Sequence, residues 1–400
     1  MISFELFIHL IVLLISCAVL ITWVYFFFYS RRSLKYAPAL RDVKEVNSLI
    51  PPRVSIIIAA LNEEKYIRKC LESLLAQDYP NLEIISIDDG STDSTFEIMK
   101  TIASKEQRLR VFNAAPRPAG WVGKNWPCYI GYNESAGDIL IFTDADTVHS
   151  GSTVTLAVNH MACGNLSALT VIPKLLSNDL LTSFTLPLLS VFLQTRFSPL
   201  KVNDPTNKVG YFFGSFFAIS RDVYEEIGTH REVRTEIIED GALGALVKKR
   251  GIKMKMFRGE NFVSALWARD KRTLWNGLLR LLVPLHKEHG KKTILMVIAI
   301  FFLMLFPFVT ALVGMFCIYQ CNSGLLTLPL TATSLIIVSL IIATSVLIES
   351  ESIQDRIFLA FGSPVGAMVI TISFIFSLLN AYKSESFIWK GRRYEFHSSV

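Results

Sequence analysis

Three acidic clusters each follow a short apolar run directly. Leu61-Asn62-Glu63-Glu64 comes after Val54 to Ala60, Asp88-Asp89-Gly90-Ser91-Thr92-Asp93 after Leu82 to Ile87, and Asp144-Ala145-Asp146 after Ile139 to Thr143. Asp144 and Asp146 are two residues apart, so in extended chain they share one face. A pair of carboxylates at one edge suits a hard divalent cation, Mg2+ or Mn2+, which takes oxygen ligands and retains waters. Such an ion bridges phosphates and stabilises a leaving diphosphate. An isolated Asp-x-Asp is also a common turn or cap, and the apolar run ILIFT before it is what favours the metal. Asp88-Asp89-Gly90-Ser91 has the composition of a turn leading into a helix cap. Two carboxylates exceed what a turn requires, and an Asp at a sheet edge can accept the N–H of a uracil ring.

Two further features carry charge. Lys124 lies between glycines in Gly120-Trp121-Val122-Gly123-Lys124-Asn125-Trp126, just before a helical stretch, where a diphosphate could meet both an ammonium and a helix N-terminus. The spacing is not that of a P-loop, and a solvated loop lysine is the plain alternative. Glu239-Asp240 opens the periodic run Gly241 to Lys249. The pair could merely favour a helix N-terminus, or Asp240 could be a general base that takes a proton from an acceptor hydroxyl. The cysteines Cys17, Cys70, Cys128, Cys163, Cys317 and Cys321 form no CxxC pair, so neither a zinc site nor a disulfide framework is indicated.

These clusters need a scaffold that brings them to one edge. Val54–Ala60, Leu82 to Ile87, Arg110 to Phe112 and Ile139 to Thr143 read as short buried strands. Tyr66 to Ala76, Ser94 to Ser104 and Asn125 to Ser135 read as helices between them. Strands alternating with helices predict an α/β domain with a mainly parallel sheet flanked by helices, over residues 51–285. In such sheets ligands bind beyond the carboxyl ends of the strands, where the polar clusters fall.

The rest of the chain reads as membrane. Apolar residues are 51% of the 400, with 28 Phe, and mean hydropathy is +0.41. The net charge of +6 gives no nucleic-acid footprint. Residues 1–30 form an N-terminal anchor, since Phe4 to Tyr29 is long enough to cross a bilayer and too long, with no basic start, for a cleaved leader. Arg31, Arg32 and Lys35 follow it, which puts the N-terminus outside and the domain in the cytoplasm. Residues 293–380 hold three more runs: about Thr293 to Tyr319, Leu325 to Ile348 and Ile357 to Leu379. Lys287, Lys291 and Lys292 mark the cytoplasmic side before the first. Three spans would carry the basic tail, residues 381–400 with Lys383, Lys390, Arg392 and Arg393, to the outside against the same rule, so one run could be re-entrant. Leu180 to Leu193, interrupted by Pro187, is expected to be too short to cross and to be a surface-lying or core helix.

The motifs VSIIIAALNEE (Val54 to Glu64), DDGSTD (Asp88 to Asp93), DAD (Asp144 to Asp146) and Glu239-Asp240 together resemble the family 2 inverting glycosyltransferases with the GT-A fold. Gly120 to Lys124, Phe213 to Arg221 and Trp389 to Tyr394 are similar to a membrane-bound branch that includes hopene-associated and carotenoid (diaponeurosporenoate) glycosyltransferases. The resemblance implies roles. Ala60, Asn62, Glu63, Asp88 and Asp89 would hold the nucleoside, Lys124 the diphosphate, and Asp144 and Asp146 the donor and its Mg2+ or Mn2+. Asp240 would be the base for direct displacement. Gly214 and Glu239 would stand on the acceptor side, with the strand from Gly210 to Arg221 as a wall. The donor would be a nucleotide-diphosphate sugar of the UDP type, the acceptor a lipid, and the place the plasma membrane.

Processive polysaccharide synthases carry Gln/Arg-x-x-Arg-Trp after the base. Here Arg269-Asp270-Lys271-Arg272-Thr273-Leu274-Trp275 separates Arg272 from Trp275, which argues for a single transfer. Arg272 and Trp275 would still line the lipid entrance, with packing at the membrane surface as the alternative. A polymer synthase and a non-catalytic membrane scaffold are the competing readings.

Overall fold

The computed structural model describes residues 4–41, 43, 51–289, 292–320, 326–353, 356–383, 386–389 and 392–395. The chain divides into two compact units. The first is helical and comprises Met1–Lys35, Ser177–Arg196 and Ala268–Trp389; the second comprises Tyr36–Leu176, Phe197–Trp267 and Lys390–Val400.

The second unit is an α/β domain. Its strands are β1 (Val54–Ala60), β2 (Leu82–Asp88), β3 (Leu109–Asn113), β4 (Ile139–Asp144), β5 (Thr147–His149), β6 (Ala168–Ile172), β7 (Lys174–Ser177), β8 (Phe217–Ser220), β9 (Met254–Arg258) and β10 (Val263–Ala268). Seven make one sheet in the order β3-β2-β1-β4-β8-β6-β9, and β5-β10-β7 make a second. The sheet is parallel except for β8, which runs antiparallel to both β4 and β6. The strand β1, VSIIIAA, is apolar at every position but Ser55 because both its faces are covered. Ile56 and Ile58 join one core with Leu71, Leu74 and Phe257, while Ile57 joins the other with Leu140, Phe212 and Tyr224.

The helices of this unit are α2 (Ile67–Leu75), α3 (Thr95–Ala103), α4 (Asn125–Asn133), α5 (Thr153–Gly164), α7 (Pro199–Val202), α8 (Arg221–Glu226), α9 (Thr229–Glu232) and α10 (Glu239–Lys249). α2 shows why the sequence makes a helix there: Ile67, Cys70, Leu71 and Leu74 recur on one face, and all are buried. The parallel register places Ala60 beside Asp88 and Ala59 beside Asp144. The carboxyl ends of three neighbouring strands therefore carry the acids, and adjacent strands lie about 4.8 Å apart.

The helical unit contains α1 (Phe4–Tyr36), α6 (Leu180–Phe197), α11 (Lys271–His289), α12 (Lys292–Met304), α13 (Phe306–Tyr319), α14 (Thr327–Ser352) and α15 (Ser363–Lys383). Trp23 of α1 is fully buried, and its indole N–H donates to Leu303 O at 2.9 Å. Leu188, Met304, Ile337, Ile341 and Ile370 pack in the same cluster. By length and composition, candidate spans are Phe7–Tyr36, Leu180–Val202, Thr327–Ser352 and Ile357–Asn380. The run from Thr293 is not one straight helix, because α12 and α13 meet at a 45° bend where Pro307 opens the second helix.

The expectation that the Leu180 run is too short is corrected. The helix continues past Leu193 to Phe197, with Pro187 accommodated inside it. By length and composition, Leu180–Val202 is long and apolar enough to cross a membrane. Lys291, the connection Cys321 to Gly324, and Lys390-Gly391 of the closing motif lie outside the described residues.

Candidate active site

The loops after β1 and β2 are fastened to each other. Asn62 sits in the left-handed region at φ 55°, which an Asn tolerates. Its Oδ1 accepts the Thr92 N–H at 2.8 Å, and its own N–H donates to Ser91 Oγ at 3.0 Å. The Glu63 N–H donates to Thr95 Oγ1 at 2.7 Å, and Asp89 N–H to Ala60 O at 2.8 Å. Glu63 and Ala60 are both buried. Asp88 makes the turn that its sequence offered. Its Oδ2 accepts from Gly90 N and Ser91 N, both at 3.0 Å, forming the turn. Its Oδ1 is buried with no hydrogen-bond partner among the described residues. A buried bare carboxylate oxygen is costly, and at a strand end it is an acceptor waiting for a donor. Asp89 meets the guanidinium of Arg117. Arg117 was missed in the sequence; the signal was a lone cation between Pro116 and Pro118 opposite an acidic edge.

Lys124, Asp144, Glu239 and Asp240 converge. Lys124 Nζ lies 2.6 Å from Asp144 Oδ1 and 3.1 Å from Glu239 Oε1. Gly214 is where they come closest. A methyl placed there would lie 2.6 Å from Asp240 Oδ2, 2.8 Å from Lys124 Nζ and 3.2 Å from Asp144 Oδ2. Only a residue without a side chain lets these charged groups come so close to the backbone. The Lys124 loop is held by Asn125, whose side-chain amide donates to Val122 O at 2.8 Å and Glu236 O at 2.9 Å. Val122 N–H also donates to Arg234 O at 2.8 Å. The turn before α4 is thus tied to the segment that leads into Glu239 and Asp240.

The charges perturb one another. Burial works against the Lys124 ammonium, but Asp144, Glu239 and Asp240 around it hold its pKa well above the usual lysine range. Burial, with the neighbouring Glu239 charge, pushes the Asp240 carboxyl up to about 6, against the pull of Lys124. A carboxylate so raised is poised as a proton acceptor near neutral pH.

Asp146 differs from its expected placement. The strand β4 ends at Asp144, and Asp146 lies in the turn before β5, so shared strand geometry is not what relates the two. Their charges nonetheless meet at Cys70. Burial first, and then Asp146, Asp144 and Glu63, raise its thiol far above the ordinary range. Among the described residues no three His, Cys, Asp or Glu side chains form a ready-made metal cage. Behind Asp144 and Gly214, Thr143 Oγ1 donates to Ser215 O at 2.8 Å and lies 3.2 Å from His149 Nε2. Burial pushes the His149 imidazole down to about 4.

Arg272 and Trp275 stand on α11 in the helical unit. Arg272 is exposed, and Trp275 packs against Phe376 with ring centroids 5.4 Å apart.

Residues 55–228 match the family described as Glycosyl transferase family 2. The 4,4'-diaponeurosporenoate glycosyltransferase of Staphylococcus haemolyticus is 28% identical over 245 residues, 59% of this chain and 61% of that protein. Its namesake in Staphylococcus aureus is 28% identical over 216 residues, 53% of this chain and 55% of that protein. The matched region thus spans little more than half the length of these curated relatives. Among solved structures, a mannosyltransferase of Pyrobaculum calidifontis in complex with GDP-mannose and Mn2+ aligns with a TM-score of 0.54 at 17% identity, covering 93% of this chain and 99% of that one. Over residues 55–228 the chain is thus similar to glycosyltransferase family 2, and its fold is the GT-A fold.

Proposed function

We propose that this chain transfers one sugar, with inversion, from a nucleotide-diphosphate donor to a lipid acceptor at the cytoplasmic face of a membrane. One observation carries the reading: a lysine, a strand-end aspartate and an aspartate of raised pKa crowd together against the backbone of Gly214. The nucleoside is held at Asn62, Glu63, Asp88 and Asp89, and the unpartnered Asp88 Oδ1 accepts a base N–H. Lys124 turns from Asp144 to the diphosphate and neutralises the charge that develops there. Asp240 takes the proton of the acceptor hydroxyl. The acceptor oxygen bonds to the anomeric carbon as the bond to the diphosphate breaks and its electron pair leaves with the nucleoside diphosphate. A positioned base of this kind contributes roughly 10²–10⁴ in rate.

Asp144 and Asp146 suit a divalent cation, Mg2+ or Mn2+. Both offer hard oxygens, and a site with two carboxylates is completed by substrate phosphates and water. When bound, the ion supplies Lewis-acid stabilisation of the leaving diphosphate.

The lipid acceptor is supported by α1 and the apolar helices of the first unit, and the relatives named for a carotenoid acid fit it. Arg31, Arg32 and Lys35 after α1 support the cytoplasmic side. Incubating membranes that contain the chain with labelled UDP- and GDP-sugars tests the proposal. Label extracted into organic solvent is expected. Label confined to water, or a ladder of long polymer, would overturn it.

A further inference from the structure

One buried histidine joins the two backbone segments that bear on the charged cluster. Thr143 precedes Asp144, and Ser215 follows Gly214, whose backbone the Lys124, Asp144 and Asp240 side chains crowd. His149 ends β5, the strand after the turn that carries Asp146. Its Nε2 lies 3.2 Å from Thr143 Oγ1, and that hydroxyl donates to Ser215 O at 2.8 Å. A hydroxyl has one proton, and here Ser215 O takes it. The contact with His149 must therefore be made by an imidazole N–H, so the ring carries its proton on Nε2. Thr143 Oγ1 accepts from the histidine and passes its own proton to Ser215, and the three residues form one directed chain.

The same turn is tied down on its other side by α2. The His149 N–H donates to Ser73 Oγ at 3.1 Å, and Ser73 Oγ donates to Cys70 O at 2.7 Å. The Cys70 thiol donates to Asp144 O at 3.6 Å. Just past α2, the Gln77 amide donates to Ser150 O at 2.7 Å and to Ser73 O at 3.0 Å. The turn between β4 and β5 is thus fixed at both ends, and His149 takes part in both fastenings.

We propose that His149 is a positioning residue for sugar transfer: through its Nε2–H and Thr143 it locks the strand end that presents Asp144 to the segment that carries Gly214. The inference rests on the transferase reading above and adds to it a residue that touches none of the reacting groups. A slip of Thr143 moves Asp144, and with it Lys124, whose Nζ lies 2.6 Å away. Misplacements of about 1 Å in such groups cost up to about 10²-fold in rate.

The test measures transfer of label from UDP- and GDP-sugars into extracted lipid by membranes that contain the full-length chain. Rates are compared per folded chain, read by circular dichroism of the solubilised protein. His149→Phe keeps a buried ring without the N–H and is expected to lower turnover about tenfold or more. Thr143→Val keeps the shape without the hydroxyl and is expected to do the same. Thr143→Ser restores the hydroxyl and should recover turnover to within about threefold of wild type. Because both residues act through one bond, the double variant should be slower than the slower single variant by no more than about twofold. If His149→Phe does not fold, Thr143→Val against Thr143→Ser decides by itself. Wild-type turnover in folded Thr143→Val overturns the positioning role and leaves the transferase reading intact. So does an equal loss in Thr143→Ser, or a double variant slowed by the product of the two single losses. No transfer by the wild type from any of these donors overturns both.

Discussion

At the scale of single residues, the site depends on what is absent at position 214 and on what stays neutral at position 149. A methyl at Gly214 would sit within 2.6–3.2 Å of three charged side-chain atoms. Gly214→Ala is therefore expected to lower the turnover of sugar transfer more than tenfold, because small displacements of catalytic groups are that costly. Circular dichroism should show the fold retained, since the colliding atoms are side-chain ends. His149 and His230 are buried, and burial lowers their imidazoles to about 4 and about 3. Unfolded, each protonates near its ordinary value of 6.5, so the unfolded state binds more protons below that pH. Their contribution to stability is complete above 6.5 and is lost as pH falls toward 4 and 3. Each costs at most about 1.4 kcal/mol per pH unit in that window. Thermal unfolding of the solubilised chain from pH 7 to 5 should show the fall, and His149→Asn should remove about half of the part these two histidines cause. A pH-independent midpoint in the wild type would contradict the neutral burial of both.

At the scale of elements, what the sequence allowed to be read followed from where the information lies. The strand Val54–Ala60 came out at its observed bounds because an Ile-rich run buried on both faces has no other solution. The acids at the ends of β1, β2 and β4 followed from the same logic. The strand expected from Gly210 to Arg221 is corrected to β8 alone, Phe217–Ser220, four residues long and antiparallel, because only there do the neighbours β4 and β6 supply backbone partners. The turn that carries Asp146 away from the strand was equally illegible, since alternation cannot tell a strand end from the first residue of a turn. Arg117 and Lys124 find carboxylates across loops, and those pairings are tertiary. Asn125 is the element-level lesson, as its amide ties the turn before α4 to the approach to α10. Asn125→Ala removes these bonds from a buried position and is expected to cost about 1–3 kcal/mol of stability. It should also weaken donor binding through a misplaced Lys124, read as a raised donor KM. Unchanged donor KM with lowered stability would restrict Asn125 to a structural role.

At the scale of the whole molecule, the side of the tail depends on α12 and α13. The positive-inside rule would place Lys383, Arg392 and Arg393 on the same side as Arg31, Arg32 and Lys35. That requires an even number of crossings after the domain, which α14 and the segment Ile357–Asn380 supply if the bent pair is re-entrant. A C-terminal tag is then expected to be labelled only after cells are permeabilised, and labelling of intact cells would make the bent pair a full span. The account as a whole turns on Asp240, the raised carboxyl beside Lys124 and Glu239. The most direct measurement compares wild type and Asp240→Asn for donor affinity and for sugar transfer into extracted lipid. Equal donor affinity with transfer lowered by roughly 10²–10⁴ is the predicted result; Asp240→Asn transferring at the wild-type rate would contradict it.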